Sequence, residues 1–411
     1  MRILFVTPYV PSLIRVRPFN FIRQLSRHHS ITLVSLAQGD RAEDDALEEM
    51  RRYCEGVHVL PLSRAGSMMS CCRRLLTPMP LQAAYTCASD LRDVVSRLAE
   101  PGRFDVLHVE HIRGAHLADG ALRIPRVFDS VDCITRLLKL RLACRMGVVQ
   151  RVLGLEELLK MRLYEPRVAS TFNRVVVTSR RDKMALEALI RRLVGLANSG
   201  HMHLDVVRNG VDCDYFRPMP VTPKPDSIVF AGRMSYFPNV SAALRFSEEV
   251  LPRVRLSRPG ASFRIVGSDP PEAVRRLSRL PGVEVTGYVP DMRPYLASAR
   301  VVVCPLSVGV GVQNKVLEAM AMAKPVVATS VACRGIPGAK NGTHLLRADD
   351  PGEMARAISD LLGSPDRGSR LGIQARRFVE DGYSWEAAAG ELEQVYMRAM
   401  DVLRHGVPVA A

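Results

Sequence analysis

Short apolar runs alternate with amphipathic stretches along nearly the whole chain, and the alternation starts afresh near its middle. In the first half, Arg2–Thr7, Ser30–Leu36, Gly56–Leu60, Val106–Val109, Arg126–Asp129 and Arg174–Thr178 read as buried strands. In the second half the same reading gives Ser227–Ala231, Ser262–Val266, Val283–Thr286, Arg300–Pro305, Pro325–Thr329 and His344–Leu346. Runs of this kind, separated by helical segments, are the pattern of strand–helix units wound around parallel sheets. Between the first two strands, Phe19, Ile22 and Leu25 fall on one helical face, and Val240–Val254 and Pro271–Arg279 read as further helices. Ile134–Arg167 reads as one long basic helix. Trp385–Leu403 is a closing amphipathic helix with no strand left to pair beside it.

The expected architecture is α/β: two doubly wound, Rossmann-like domains facing each other across a cleft, with ligand sites at the carboxyl ends of the strands. Pro218, Pro220, Pro223 and Pro225 mark 217–226 as the linker. That gives a first domain over 1–216, a second over 227–384, and a helix and tail over 385–411 that are candidates to return to the first domain.

Composition narrows the class. The 411 residues suffice for two cores, and 47% hydrophobic with 24% charged residues is the balance of a soluble globular protein. No window reaches the ~18 to 20 continuous apolar residues of a membrane span. The opening MRILFVTPYVP reads as a first core strand, not as a cleaved leader. Nine cysteines without a CxxC pair fit buried thiols in a reducing cytoplasm. The net charge of +15 is the outlier, and it admits nucleic acid, an anionic membrane surface or an acidic substrate as partner. Arginines are dispersed, there is one Trp, and no nucleic-acid-binding signature is present, so nucleic acid is the least favoured. An arginine-rich background composition would account for part of the excess.

The chemistry concentrates between Val308 and Gly338. There a glycine loop with Gly309 and Gly311 runs into a helix carrying Lys315 and Glu318 about one turn apart. Glycines admit a ligand close to the backbone, and the helix N-terminus behind them offers amides to an anion. A carboxylate on that helix, Glu318, can accept hydrogen bonds from a ribose diol. Upstream, a strand ends in Gly232–Arg233, which would aim a guanidinium at a diphosphate from the crest of the sheet. Gly287 and Tyr288 follow another strand, where backbone groups could read a nucleobase edge.

The segments GRM (232–234), TGYVPDMRPYLASARVVVCPL (286–306) and GVGVQNKVLEAMAMAKPVVAT (309–329), taken in order, resemble the nucleotide-binding domain of GT-B-fold retaining glycosyltransferases. The best match is the large family-four group, the glycosyl transferases group 1. VRNGVDCDYFRP resembles that family's interdomain segment, and MRILFVTPYVP its first strand. The resemblance implies a nucleotide-sugar donor of UDP or GDP type and transfer to a hydroxyl acceptor with retained anomeric configuration. It also implies a place in bacterial polysaccharide or glycoconjugate synthesis, and no metal. The donor site would be Gly232, Arg233, Gly287, Tyr288, Gly309, Val310, Gly311, Lys315 and Glu318, with Arg233 also stabilising the leaving group.

Three positions depart from the family pattern. Its first glutamate falls on Val310, a lysine six residues after the arginine falls on Asn239, and the glycine loop after the first strand is replaced by PYVPSLIRVRP with Arg15 and Arg17. The family's acceptor-side histidine should lie near RVFDSVDCIT, where Asp129 and Asp132 stand; Asp132 is the candidate replacement, and Asp129 is equally a turn cap. His108, His111 and His116 match no common metal set, and Asp212–Cys213–Asp214, though an Asp-x-Asp, reads as a turn. The expected metal ligands are therefore none. Rival readings are a nucleotide-sugar epimerase of the same fold and a non-catalytic binding protein. A basic helix with interspersed aliphatics at Ile134–Arg167 suggests peripheral contact with an anionic membrane and a lipid-linked acceptor.

Overall fold

Thirteen strands of the computed structural model, counted over the described residues, form two all-parallel sheets. The description covers the chain apart from residues 40, 88, 101, 119–123, 144–146, 199–202, 310–311 and 405–411. The first sheet contains β1 (Arg2–Thr7), β2 (Ser30–Ala37), β3 (Gly56–Pro61), β4 (Val106–Glu110), β5 (Arg126–Val131), β6 (Arg174–Val177) and β7 (His203–Val206), in the order β3-β2-β1-β4-β5-β6-β7. The second contains β8 (Ser227–Ala231), β9 (Ser262–Val266), β10 (Val283–Val285), β11 (Val301–Cys304), β12 (Val326–Ala328) and β13 (Leu346–Arg347), in the order β10-β9-β8-β11-β12-β13. Both orders reverse at their first strand. The crevices at the carboxyl ends of β1/β4 and β8/β11 are thus the topological switch points where such sheets take ligands.

The strands form where they do because both sheet faces are covered. Ile3, Leu4, Phe5 and Val6 are all buried, and so are Ile228, Val229 and Phe230. Ring contacts lock each core: Phe128 lies 5.2 Å from Phe172 in the first, and Phe246 lies 4.3 Å from Phe263 in the second. Eleven of the twelve expected strands lie where expected, and the last, expected at His344–Leu346, is shifted to Leu346–Arg347. β7 was not expected: only His203–Val206 pairs, and Leu204 is its one buried residue.

The chain divides into a first unit, Met1–Arg208 with Ala388–Ala411, and a second, Asn209–Ala387. This division precedes the expected 217–226 linker. Val211 already donates its N–H to the Tyr383 carbonyl (2.7 Å), and Lys224 donates to the Ser298 carbonyl (2.9 Å), so the proline-rich stretch is fastened within the second unit. The expected basic helix Ile134–Arg167 is two helices, Ile134–Leu142 and Val148–Ser170, the second starting from extended backbone at Gly147. The expected Val240–Val254 helix runs as Phe237–Arg245, a wider π-type turn over Phe246–Val250, and Leu251–Ser257. Pro252 has no N–H to give to the preceding turn, which accounts for the widening.

The Trp385–Arg404 helix supplies residues to the first unit from Ala388 onward. Tyr396, fully buried, places its hydroxyl 2.9 Å from His108 Nδ1, and Arg398 reaches Asp205 at 3.2 Å. Burial pushes the His108 imidazole down to about 3, so it is neutral at ordinary pH and pairs with the phenol as a neutral ring. Tyr396→Phe should cost about 1 to 3 kcal/mol in urea unfolding, because it strands a buried ring nitrogen. Wild-type stability in that variant would show that the C-terminal helix is held by its aliphatic contacts alone.

Candidate active site

The second sheet brings three glycines together at the carboxyl ends of β8, β9 and β10. Gly232 (φ 150°) donates its N–H to the Val266 carbonyl at 2.9 Å, and Gly267 (φ 148°) donates to the Gly287 carbonyl at 3.2 Å. A Cβ on Gly267 would lie 2.0 Å from the Gly232 carbonyl oxygen, so the two turns can approach only without side chains. A Cβ on Gly232 would meet Lys315 Nζ at 2.8 Å and Asn239 Nδ2 at 2.9 Å. The sequence reading picked out Gly232 and Gly287 but missed Gly267, whose role depends on a contact 35 residues away in sequence.

Lys315 and Asn239 are the second finding. Asn239, buried, donates its amide to the Arg233 carbonyl (2.7 Å) and accepts a hydrogen bond from the Lys315 ammonium. The ammonium also sits 4.9 Å from the centroid of the Phe230 ring. Lys315 therefore places its charge at the Gly232–Arg233 turn, beside the very position where the resembling family carries a lysine. Burial holds the Lys315 ammonium below its usual range, and the Asn239 amide oxygen and the Phe230 ring are what meet its charge. Arg233 itself is half exposed (49%) and pairs with the equally open Asp269 carboxylate at 3.3 Å. Such a pair contributes little to stability and is readily exchanged for a ligand oxygen.

Glu318 follows Lys315 by one turn on the Asn314–Ala321 helix. Burial pushes its carboxyl up to about 7, and Lys315 offsets only part of that shift. Gly309 approaches Gln313, the buried residue that precedes this helix. Val310 and Gly311 lie outside the described residues. The Tyr288 side chain is 68% exposed, and the Gly287 carbonyl is already taken by Gly267, so only part of that turn's backbone remains to meet a ligand.

At the carboxyl ends of β4 and β5 the first unit carries a separate buried polar cluster. Arg17 Nε donates to Asp129 Oδ2 at 2.7 Å, and Tyr9 donates its hydroxyl to Glu110 Oε1 at 2.8 Å. Glu110 and Asp129 are register partners on adjacent strands. Burial and the neighbouring Asp129 push the Glu110 carboxyl up to about 8, so it is largely protonated at neutrality. Asp129, one of the two aspartates weighed on the acceptor side, is thus the buried partner of Arg17. Asp132 accepts from Thr178 Oγ1 at 3.2 Å, and burial, then Asp182, pushes it up to about 7. Two non-glycine residues here have left-handed backbone, His111 (φ 66°) and the β-branched Val131 (φ 65°), a strain that tends to be stored at functional sites. Glu110 and Tyr9 were not legible in sequence, where nothing links residues 101 apart.

His108 is bound to Tyr396, and His111 Nδ1 accepts from the Arg113 N–H at 3.3 Å. Asp212 Oδ1 accepts from the N–H groups of Asp214 (3.1 Å) and Tyr215 (2.9 Å), closing a turn. Among the described residues no group of three His, Cys, Asp or Glu side chains is placed to hold a metal ion.

Two six- and seven-stranded doubly wound units with a glycine-lined switch point define the GT-B class, and solved structures agree. HepE of Anabaena in complex with UDP matches with a TM-score of 0.64 at 15% identity, over 97% of this chain and 100% of that one. Sucrose-phosphate synthase of Thermosynechococcus elongatus matches with a TM-score of 0.69 at 15% identity, over 99% and 100%. Residues 225–364 match the model of the glycosyl transferases group 1. A D-inositol 3-phosphate glycosyltransferase of Thermobispora bispora is 26% identical over 76% of this chain and 74% of that protein. D-inositol 3-phosphate glycosyltransferase 2 of Catenulispora acidiphila is 27% identical over 58% of this chain and 59% of that protein. The matched part thus spans about three fifths to three quarters of these two relatives' length.

Proposed function

We propose that the protein transfers a sugar from a nucleotide-sugar donor to a hydroxyl acceptor, retaining the anomeric configuration and using no metal. The observation that carries this is the convergence of Lys315 and Arg233 on the Gly232 turn at the β8/β11 switch point, with Glu318 one turn further along the helix. Departure of a nucleoside diphosphate builds charge on the leaving oxygen. Two pre-placed cations and the amides ahead of the helix would stabilise that charge without a metal ion. Glu318 would accept hydrogen bonds from the ribose diol. HepE was solved with UDP and with UDP-glucose, which makes UDP-sugars the first donors to test. We place the reaction at the cytoplasmic membrane face, on a lipid-linked or otherwise anionic acceptor, in polysaccharide or glycoconjugate synthesis. Release of free nucleoside diphosphate only when an acceptor is present would separate this transferase from an epimerase of the same fold, and a non-catalytic relative would release none.

Donor binding reports on Glu318. Loss of charge-assisted hydrogen bonds costs ~1.5–3 kcal/mol, so Glu318→Ala should weaken UDP-sugar binding about ten- to a hundredfold in calorimetry. Because the complex favours the ionised carboxylate, wild-type affinity should rise as pH climbs through about 7 and then level off. Glu318→Gln should lack that rise. Unchanged affinity in the alanine variant would remove Glu318 from the site.

The cation pair has its own signature. Arg233→Lys should recover little transfer, since an ammonium cannot make a forked contact with a diphosphate. Lys315→Ala should lower transfer by at least about tenfold, as expected for a charge-assisted contact. The exchange Asn239→Lys with Lys315→Asn, which returns the charge to the same turn from the other side, should restore part of it. An exchange variant no better than Lys315→Ala would show that the helix position, and not the charge at the turn, matters.

Asp132 is proposed to orient the acceptor hydroxyl. Asp132→Asn should leave donor affinity intact and lower turnover at saturating donor, and it should flatten the rise of turnover with pH around 7. Normal turnover with a normal pH profile would assign Asp132 to the Thr178 contact alone.

A further inference from the structure

We propose that the first unit seats on an anionic lipid bilayer through the outward face of the Val148–Ser170 helix together with the tip of the Arg64–Arg74 helix. This deepens the membrane-face reading above by naming its surface.

The Val148–Ser170 helix is apolar on two opposite sides. Its core side carries Met161 with the buried Glu157 and Glu165. On the other side Val148, Val152, Leu155, Leu159 and Leu163 recur every three or four residues, all exposed, Val148 at 80%. A surface helix of a soluble protein is normally polar there. Arg151 and Arg162, both exposed, flank the stripe. No carboxylate interrupts it: Glu156 is ion-paired with Lys160 at its side, and Glu157 faces inward.

A second exposed apolar element is fastened next to it. Met68 and Met69 project from the Arg64–Arg74 helix, which runs into Leu75 and Leu76, the latter 98% exposed. Lys160 Nζ donates to the Arg74 (3.3 Å) and Leu75 (2.6 Å) carbonyls. Glu157 accepts from the N–H groups of Leu81 (2.7 Å) and Gln82 (3.2 Å). The polar groups of this junction are thus spent on one another, and aliphatic side chains face water. Contiguous exposed apolar surface of this kind marks a partner.

Charge selects which partner. Guanidiniums border both elements, with Arg64 and Arg73 on one and Arg151 and Arg162 on the other, and the chain carries a net charge of +15. Aliphatic side chains rimmed by cations suit the boundary between anionic headgroups and acyl chains, where no matching protein relief is needed. Among the described residues no helix is long and apolar enough to cross a membrane, so the contact is interfacial.

The test is sedimentation of the full chain with phosphatidylcholine vesicles with and without phosphatidylglycerol, at low and physiological salt and with no donor present. Wild-type protein should pellet with the anionic vesicles and far less with the neutral ones. Leu155→Glu combined with Leu159→Glu should lose more than about tenfold in partitioning with an unchanged melting temperature, since both sites are exposed. Leu76→Glu should lose part of it and serves if the double variant unfolds. Wild-type protein that stays in solution overturns both the surface and the membrane-face reading. Variants that pellet as well as wild type overturn this surface and leave the membrane-face reading standing. A wild-type dimer that the substitutions split, with no vesicle binding, reassigns the face to a second copy of the chain.

Discussion

A buried ammonium sets the terms for the nucleotide-binding unit. Lys315 lies against the Phe230 ring and the Asn239 amide, inside the Gly232 turn, where water cannot fully solvate it. Its presence explains why residue 232 has no side chain and why position 239 is an uncharged amide: a second cation there would face the first within hydrogen-bond distance. The same amide holds the Arg233 carbonyl, so one side chain fixes both the turn and the ammonium. The family resemblance taken position by position counts a lost lysine. The three-dimensional arrangement shows a charge delivered to the same turn from a helix 76 residues later.

The first unit handles its charges by the opposite strategy. Arg17 and Asp129 are buried as a bonded pair, and Glu110 beside them escapes the cost of a second buried anion by keeping its proton near neutrality. Adjacent parallel strands put Glu110 and Asp129 side by side, and the two left-handed residues that follow, His111 and Val131, turn the chain sharply away from them. The Tyr9 ring carries the Arg15 guanidinium at 4.3 Å, so the segment that replaces the usual glycine loop supplies both a phenol and two arginines to this end of the sheet.

The strands were legible because burial on both faces writes an apolar run into the sequence wherever a central parallel strand lies. β7 escaped because an edge strand needs only one buried residue, and Leu204 is that residue. The break in the Ile134–Arg167 segment escaped because periodicity continues across Gly147 even though the backbone does not. In the site, residues carried by a motif were found, and the individual contacts that only folding makes were not. Gly309, Lys315 and Glu318 share one short segment, whereas Gly267 on Gly232, Asn239 on Lys315 and Tyr9 on Glu110 are contacts between separate elements.

The Val148–Ser170 helix shows where a one-dimensional pattern loses information for a different reason. Aliphatics on two opposite faces cancel each other's periodicity, so the sequence offers a mixed basic and apolar stretch with no preferred side. Folding breaks that symmetry. Glu157 and Glu165 are drawn inward because backbone N–H groups need them: Leu81 and Gln82 for the first, Ile134 and Thr135 for the second. With these two carboxylates consumed in this way and Glu156 paired with Lys160, the outward stripe shows water aliphatics flanked by arginines. The excess positive charge of this surface is therefore not a matter of composition alone; it follows from which carboxylates the interior has claimed.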